Sequence, residues 1–301
     1  MDKKMFAVKS ECDGLDLDIT VIKPENEIKG IVQISHGMAE HKERYYKFME
    51  YLAKNGYITV INDHRGHGNS VKNNEDLGYF YDNSAEYIVE DLHQITKLIK
   101  EQYPNKPVVL FGHSMGSMVV RKYIKKYDDE IDKLIVCGSP SKNKYAKVGL
   151  NVAKLVEKLK GEKYRSKFIQ KLAFGNYSSK KEKSENSWIC YNEETVDNYD
   201  EDELCGFIFT ANGFQNLFGL MIDIYDKNDW KLNNKNLPIL FIAGSNDPVI
   251  ISKEKWLESQ EFLKNLGYKK IQNKLYDGMR HEILNEKESN LVYKDILDFI
   301  R

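Results

Sequence analysis

The stretch VVLFGHSMGSMVV, residues 108–120, places a serine between two glycines where an apolar run gives way to helical text. Buried packing does not call for a serine there. A reaction does: a nucleophile must stand clear of its sheet, reach a base and lie beside backbone donors. The G-x-S-x-G pattern meets those needs through a sharp strand-to-helix turn, with Gly112 and Gly116 leaving room for neighbouring backbone. The turn also sets Ser114 at a helix N-terminus, where free N–H groups favour developing negative charge.

Working outward, GIVQISHG (residues 30–37), YITVINDH (57–64), PVVLFGHS (107–114), KLIVCGSP (133–140) and LPILFIAG (237–244) are short apolar runs bounded by turn residues. Such runs suit strands covered on both faces. LDLDITVIKP (15–24) alternates like a half-exposed strand, and YKKIQNKLYD (268–277) reads as the last strand. Helical text occupies residues 45–55, 85–102, 115–127, 253–266 and 288–300. Apolar strands alternating with helices predict an α/β fold, a mostly parallel sheet with helices on both faces.

The rhythm breaks from Ser141 to about Asn216, where lysine-rich helical text and the acidic EETVDNYDEDEL replace strands. The expected organisation is therefore a core over residues 1–140 and 217–301 with a helical lid inserted at 141–216. Tyr145, Val148, Val152, Leu155, Val156 and Leu159 recur there at helical spacing between lysines. They pack on the body of the protein or, alternatively, line an acyl pocket or touch a membrane surface transiently.

The chain has 301 residues, 41% of them apolar and 30% charged, and 45 basic against 46 acidic residues give a net charge of -1. That balance gives no basic footprint for nucleic acid. Cys12, Cys137, Cys190 and Cys205 are scattered, as free thiols of a reducing compartment would be. The N-terminus lacks a secretory apolar core, and the uncharged stretch from Cys205 to Ile222 holds too many glycines and amides for a membrane span. The cytoplasm is the expected location.

Of seven histidines, His113 adjoins Ser114 on the tight turn and His93 lies on a helix. His36, His41, His64 and His67 share two loops, which invites a metal, but no cysteine accompanies them in sequence. Neither a metal nor an organic cofactor is expected. His281, in a loop after the last strand, remains as the base. Asp247, just past a buried strand and followed by Pro248, is the acid that orients it. The oxyanion needs two amide donors: Met115, next to the nucleophile, and Met38, in the loop SHGMAEHKERY.

The order Ser114, Asp247, His281 is that of the α/β-hydrolases. With HGMAEHKERY (36–45), NDHRGHGNS (62–70), GHSMGS (112–117), GSNDPV (244–249) and RHEILNE (280–286), the chain resembles their monoacylglycerol lipase and lysophospholipase-like branch. WICYNEETVDNYDEDELCGFIFT (188–210) resembles the segment by which bacterial members return to the core. The resemblance implies nucleophile Ser114, acid Asp247, base His281 and oxyanion donors Met38 and Met115. It also implies that Glu40, Arg44, Asp63 and Arg65 brace loops. Ala39 and Lys42 depart from it, standing where many members have glycine and serine. The implied activity is hydrolysis of carboxylic esters, with a small lipid ester as partner. An aminopeptidase-type amide hydrolase and a non-catalytic binding member of the fold are the alternatives.

Overall fold

The computed structural model describes residues 1–174, 177 and 182–301. Part of the expected insertion, residues 175, 176 and 178–181, lies outside the described residues. In chain order the elements are β1 (Asp2–Lys9), β2 (Asp16–Lys23), β3 (Gly30–Ser35), α1 (Tyr46–Lys54), β4 (Tyr57–Asn62), α2 (Tyr87–Gln102), β5 (Val108–His113), α3 (Met115–Tyr127) and β6 (Lys133–Cys137). Then come α4 (Ala146–Lys160), α5 (Lys167–Phe174), α6 (Glu193–Glu201), α7 (Ala211–Asp223), β7 (Pro238–Gly244), α8 (Lys253–Leu266), β8 (Lys270–Tyr276) and α9 (Ser289–Ile300).

The strands form one eight-stranded sheet in the order β1-β2-β4-β3-β5-β6-β7-β8. β1 with β2 and β2 with β4 run antiparallel, and the other neighbours are parallel. The predicted mostly parallel α/β sheet is therefore present. Its central strands are buried and mostly apolar because successive side chains point to opposite faces and both faces are covered. Leu110, Leu134 and Phe241 join a core with Ile88 and Leu92 of α2, Val119 of α3 and Trp256 of α8. Phe111, Ile135 and Ile242 face the other way, onto Phe48 and Leu52 of α1 and Ile296 of α9.

Two elements had no clear trace in the sequence. β1 is an exposed edge strand with hardly a buried side chain, held by pairing with β2 from Asp2↔Lys23 to Lys9↔Asp16. Without a buried face it carries no apolar alternation. The uncharged stretch after Cys205 becomes α7, with Thr210 capping Gly213 N–H. α7 packs its Phe214, Leu217 and Phe218 into the core, and the boundary expected at 216 falls inside it. Among the described residues no helix is long and apolar enough to cross a membrane.

β6 and β7 are adjacent and parallel, yet residues 138–237, with α4 to α7, separate them in the chain. All four cysteines are free thiols, Cys12 half-buried and the other three buried.

Candidate active site

In open parallel sheets the crevice lies beyond the carboxyl ends of the strands. The loops after β3, β5, β6, β7 and β8 converge there, carrying Met38, Ser114, Gly138, Asp247 and His281. Ser114 has φ 53° and ψ -117°, a backbone region that L side chains rarely adopt. Holding it there costs on the order of 1–3 kcal/mol, offset by the packing around it. Its N–H donates to Cys137 O at 3.0 Å. A Cβ on Gly112 would strike Gly116 O, and one on Gly116 would strike Ser35 O, so both glycines are fixed by the close approach of backbone.

His281 is buried and its Nδ1–H donates to Asp247 Oδ2 at 2.9 Å. Asp247 Oδ1 accepts from Val249 N–H at 2.9 Å, so both carboxylate oxygens are engaged. That arrangement fixes the tautomer and leaves Nε2 as the ring's acceptor. His281 rests on Gly138, where a Cβ would come within 3.2 Å of Cε1. Trp188 covers it, ring centroids 5.2 Å apart. Neither neighbour has a signature in the sequence. His113 does not reach back to Ser114; its ring lies 4.7 Å from that of His281, and its Nε2 contacts His281 O at 3.2 Å.

Met38 and Met115 line the same cavity as Ser114 and His281. Among the described residues neither Met38 N–H nor Met115 N–H has a hydrogen-bond partner. Gly37 brings the Met38 loop against the serine: a Cβ there would lie 3.2 Å from Ser114 Cβ. Ala39 has φ 51°, a conformation glycine adopts without penalty. The cavity measures about 910 Å³. Met118, Phe174, Phe207, Leu217, Phe218 and Met221 supply apolar wall, while Lys167, Lys171 and Lys183 stand among its polar lining.

The bracing residues lie beneath. Arg44 forks onto Glu282 at 2.6 and 2.7 Å and reaches Glu40 at 2.7 Å, tying the Met38 loop to the His281 loop. Glu40 also accepts from Gly37 N–H at 2.5 Å and Tyr45 Oη at 2.8 Å. Burial alone raises a carboxyl pKa, but His113, Arg44 and His36 hold Glu40 well below the usual range. Asp63 accepts from Lys42 N–H at 2.8 Å and Asn69 N–H at 3.0 Å. Arg65 pairs with Asp91 at 2.8 Å and Asp13 at 3.0 Å. His93 is remote, stacked 3.7 Å from Tyr127.

His36, His64 and His67 cluster under the loops, with ring centroids 4.4 and 5.2 Å from His36. His36 Nε2 accepts His64 N–H at 2.9 Å, His64 Nε2 meets Ser35 Oγ at 2.8 Å and His67 Nδ1 meets Arg65 O at 3.1 Å. Among the described residues His64 Nδ1 and His67 Nε2 are buried without a hydrogen-bond partner. Cys205 lies beside His41 in space. The two are far apart in sequence, and only the folded chain joins them.

Burial pushes His36 down to about 4 and His67 to about 3, and His64 well below its ordinary value. Unfolded histidine takes its proton near pH 6.5, so below that the unfolded chain binds more protons than the folded one. Their contribution to stability is thus complete above about pH 6.5 and is lost as pH drops toward 4. Melting temperature measured against pH should decline across that window, and His67→Phe should flatten the decline. A melting temperature constant down to about pH 5 contradicts this.

Comparison with known proteins agrees with this fold. The family model described as "Serine aminopeptidase, S33" matches residues 26–288. The chain is 25% identical over 290 residues to the monoacylglycerol lipase of Mycolicibacterium smegmatis, spanning 95% of this chain and 93% of that one. It is 24% identical over 294 residues to the monoglyceride lipase of Homo sapiens, covering 94% and 86%. The crystal structure of a highly thermostable carboxyl esterase from Bacillus coagulans in complex with glycerol superposes with a TM-score of 0.90 at 26% identity, over 100% of this chain and 98% of that one. With its sheet, its serine turn and a family match over most of its length, this chain belongs to the serine aminopeptidase S33 family of α/β-hydrolases.

Proposed function

We propose that the chain is a serine hydrolase of carboxylic esters, acting on monoacylglycerol- or lysophospholipid-like lipids through an acyl-enzyme on Ser114. The observation that carries this reading is that a strained serine, an Asp247-held imidazole and two amides unpartnered among the described residues line one cavity with an apolar wall. His281 Nε2 takes the Ser114 proton as Oγ attacks the ester carbonyl. The N–H groups of Met38 and Met115 hold the oxyanion, and collapse expels the alcohol, which takes the proton from His281. Water, activated by the same imidazole, then releases the acid. These steps need no metal or organic cofactor.

Relatives named as monoacylglycerol lipases and a carboxyl esterase support ester chemistry over the amide reading. Three of the four lining acids do too. A peptidase acting at a free N-terminus needs a carboxylate for the ammonium, yet Glu40 and Glu282 are committed to Arg44 and Glu182 to Arg280. Buried thiols fit the cytoplasm.

We further propose that residues 141–216 act as a lid that touches lipid surfaces. Val148, Leu155 and Leu159 on α4 and Phe168 and Leu172 on α5 are more than half exposed, with lysines between them. Changing Leu159, Phe168 and Leu172 to aspartate should abolish sedimentation with anionic vesicles while leaving hydrolysis of a soluble short-chain ester within about threefold. Unchanged sedimentation removes the lid from membrane contact. The substrate class is tested by a panel of monoacylglycerols, lysophospholipids, nitrophenyl esters and an aminoacyl amide, with Ser114→Ala as control. Preferential turnover of the amide overturns the ester reading.

A further inference from the structure

His41 follows the Met38 loop, and Asp202 and Cys205 lie between α6 and α7. His41 Nε2 and Asp202 Oδ2 are 2.8 Å apart, and a nitrogen, an oxygen and the Cys205 sulfur all lie within 4.8 Å of one another. His41 and Cys205 are buried, and the Asp202 side chain is one-third exposed, which leaves an entry path. In a tetrahedral zinc site, metal–ligand distances of about 2.0–2.3 Å put ligand atoms about 3.3–3.8 Å apart, so closure on an ion needs a shift of about 1 Å.

The surroundings favour a cation. Arg44 faces Cys205, but Glu40 and Glu282 both bind it, which leaves that trio one net negative charge. Asp202 adds a second. The two chain segments are already fastened together: Ala39 O accepts from Gly206 N–H at 2.9 Å and from Tyr199 Oη at 3.0 Å. A donor set of imidazole, carboxylate and thiolate suits zinc and, among spectroscopic surrogates, cobalt(II).

We propose that His41, Asp202 and Cys205 bind a zinc-class divalent cation, with water as fourth ligand on the exposed side of Asp202. The ion replaces the His41–Asp202 hydrogen bond with a tie that also takes in Cys205, between the segment ahead of α7 and the oxyanion loop, three residues from Met38. On binding, Cys205 releases its thiol proton to solvent. The His41 proton now directed at Asp202 moves to Nδ1 through the other tautomer, freeing the Nε2 lone pair. The site is independent of the role given to Ser114, and its test does not use hydrolysis.

The test is titration of the chelator-treated protein with cobalt(II), following the thiolate-to-cobalt charge-transfer band. One equivalent should saturate the band, and zinc should displace it and raise the melting temperature. Cys205→Ser should lose the band, His41→Gln and Asp202→Asn should weaken binding by about tenfold or more, and Cys12→Ser should keep it. Circular dichroism checks that each variant folds; if Cys205→Ser does not, His41→Gln decides. Absence of the band in the unmodified protein, its survival in Cys205→Ser, or unaltered affinity in His41→Gln overturns the proposal.

Discussion

Replacing Ser114 with alanine lowers kcat for a nitrophenyl ester by about 10⁴-fold or more and leaves the fold intact. The loss is large because the hydroxyl supplies the bond that forms; what survives is the binding and oxyanion stabilisation the cavity gives to attack by water. The fold is spared because the serine's tie to the sheet is its N–H to Cys137 O at 3.0 Å, which alanine keeps. The check is steady-state hydrolysis beside a thermal melt. A variant that melts normally and turns over at the wild-type rate removes Ser114 from the chemistry.

Arg44→Met gives the largest effect on stability. Arg44 is nearly buried and holds Glu282 by two hydrogen bonds and Glu40 by one. Removing it leaves two carboxylates buried without their cation, at a cost of about 3–5 kcal/mol. Glu282 follows His281 directly and Glu40 accepts the Gly37 amide, so the base and the oxyanion loop loosen together. Denaturant unfolding should register the destabilisation, and hydrolysis should fall alongside it. Arg44→Lys does not restore the fork, because an ammonium cannot bind Glu282 in two parallel hydrogen bonds. A coupling near zero between Arg44→Met and Glu282→Gln in a double-mutant cycle contradicts this account.

The features legible in the sequence are those with a local physical cause. Runs such as VVLF and LIVC reflect strands covered on both faces, and each splits its side chains between the two cores. The serine turn was legible because the glycines beside it are required by backbone contact. Asp247 and His281 were legible through their place after the last strands, and their side chains do meet. The rest depended on encounters between distant segments. Trp188 over His281, Gly138 beneath it, and Cys205 beside His41 leave no spacing to read, since residue type alone does not record which loop a side chain will face. β1 was hidden for the opposite reason: an edge strand without a buried face needs no pattern.

The most direct test of the central claim is labelling by a fluorophosphonate, followed by peptide mass spectrometry. A reactive serine phosphonylates only where a base removes its proton and amide hydrogens receive the oxygen. One adduct per chain is the predicted stoichiometry, on the peptide containing Ser114, and it should be lost in His281→Ala as well as in Ser114→Ala. An unlabelled chain, or an adduct on another residue that persists in Ser114→Ala, contradicts the account.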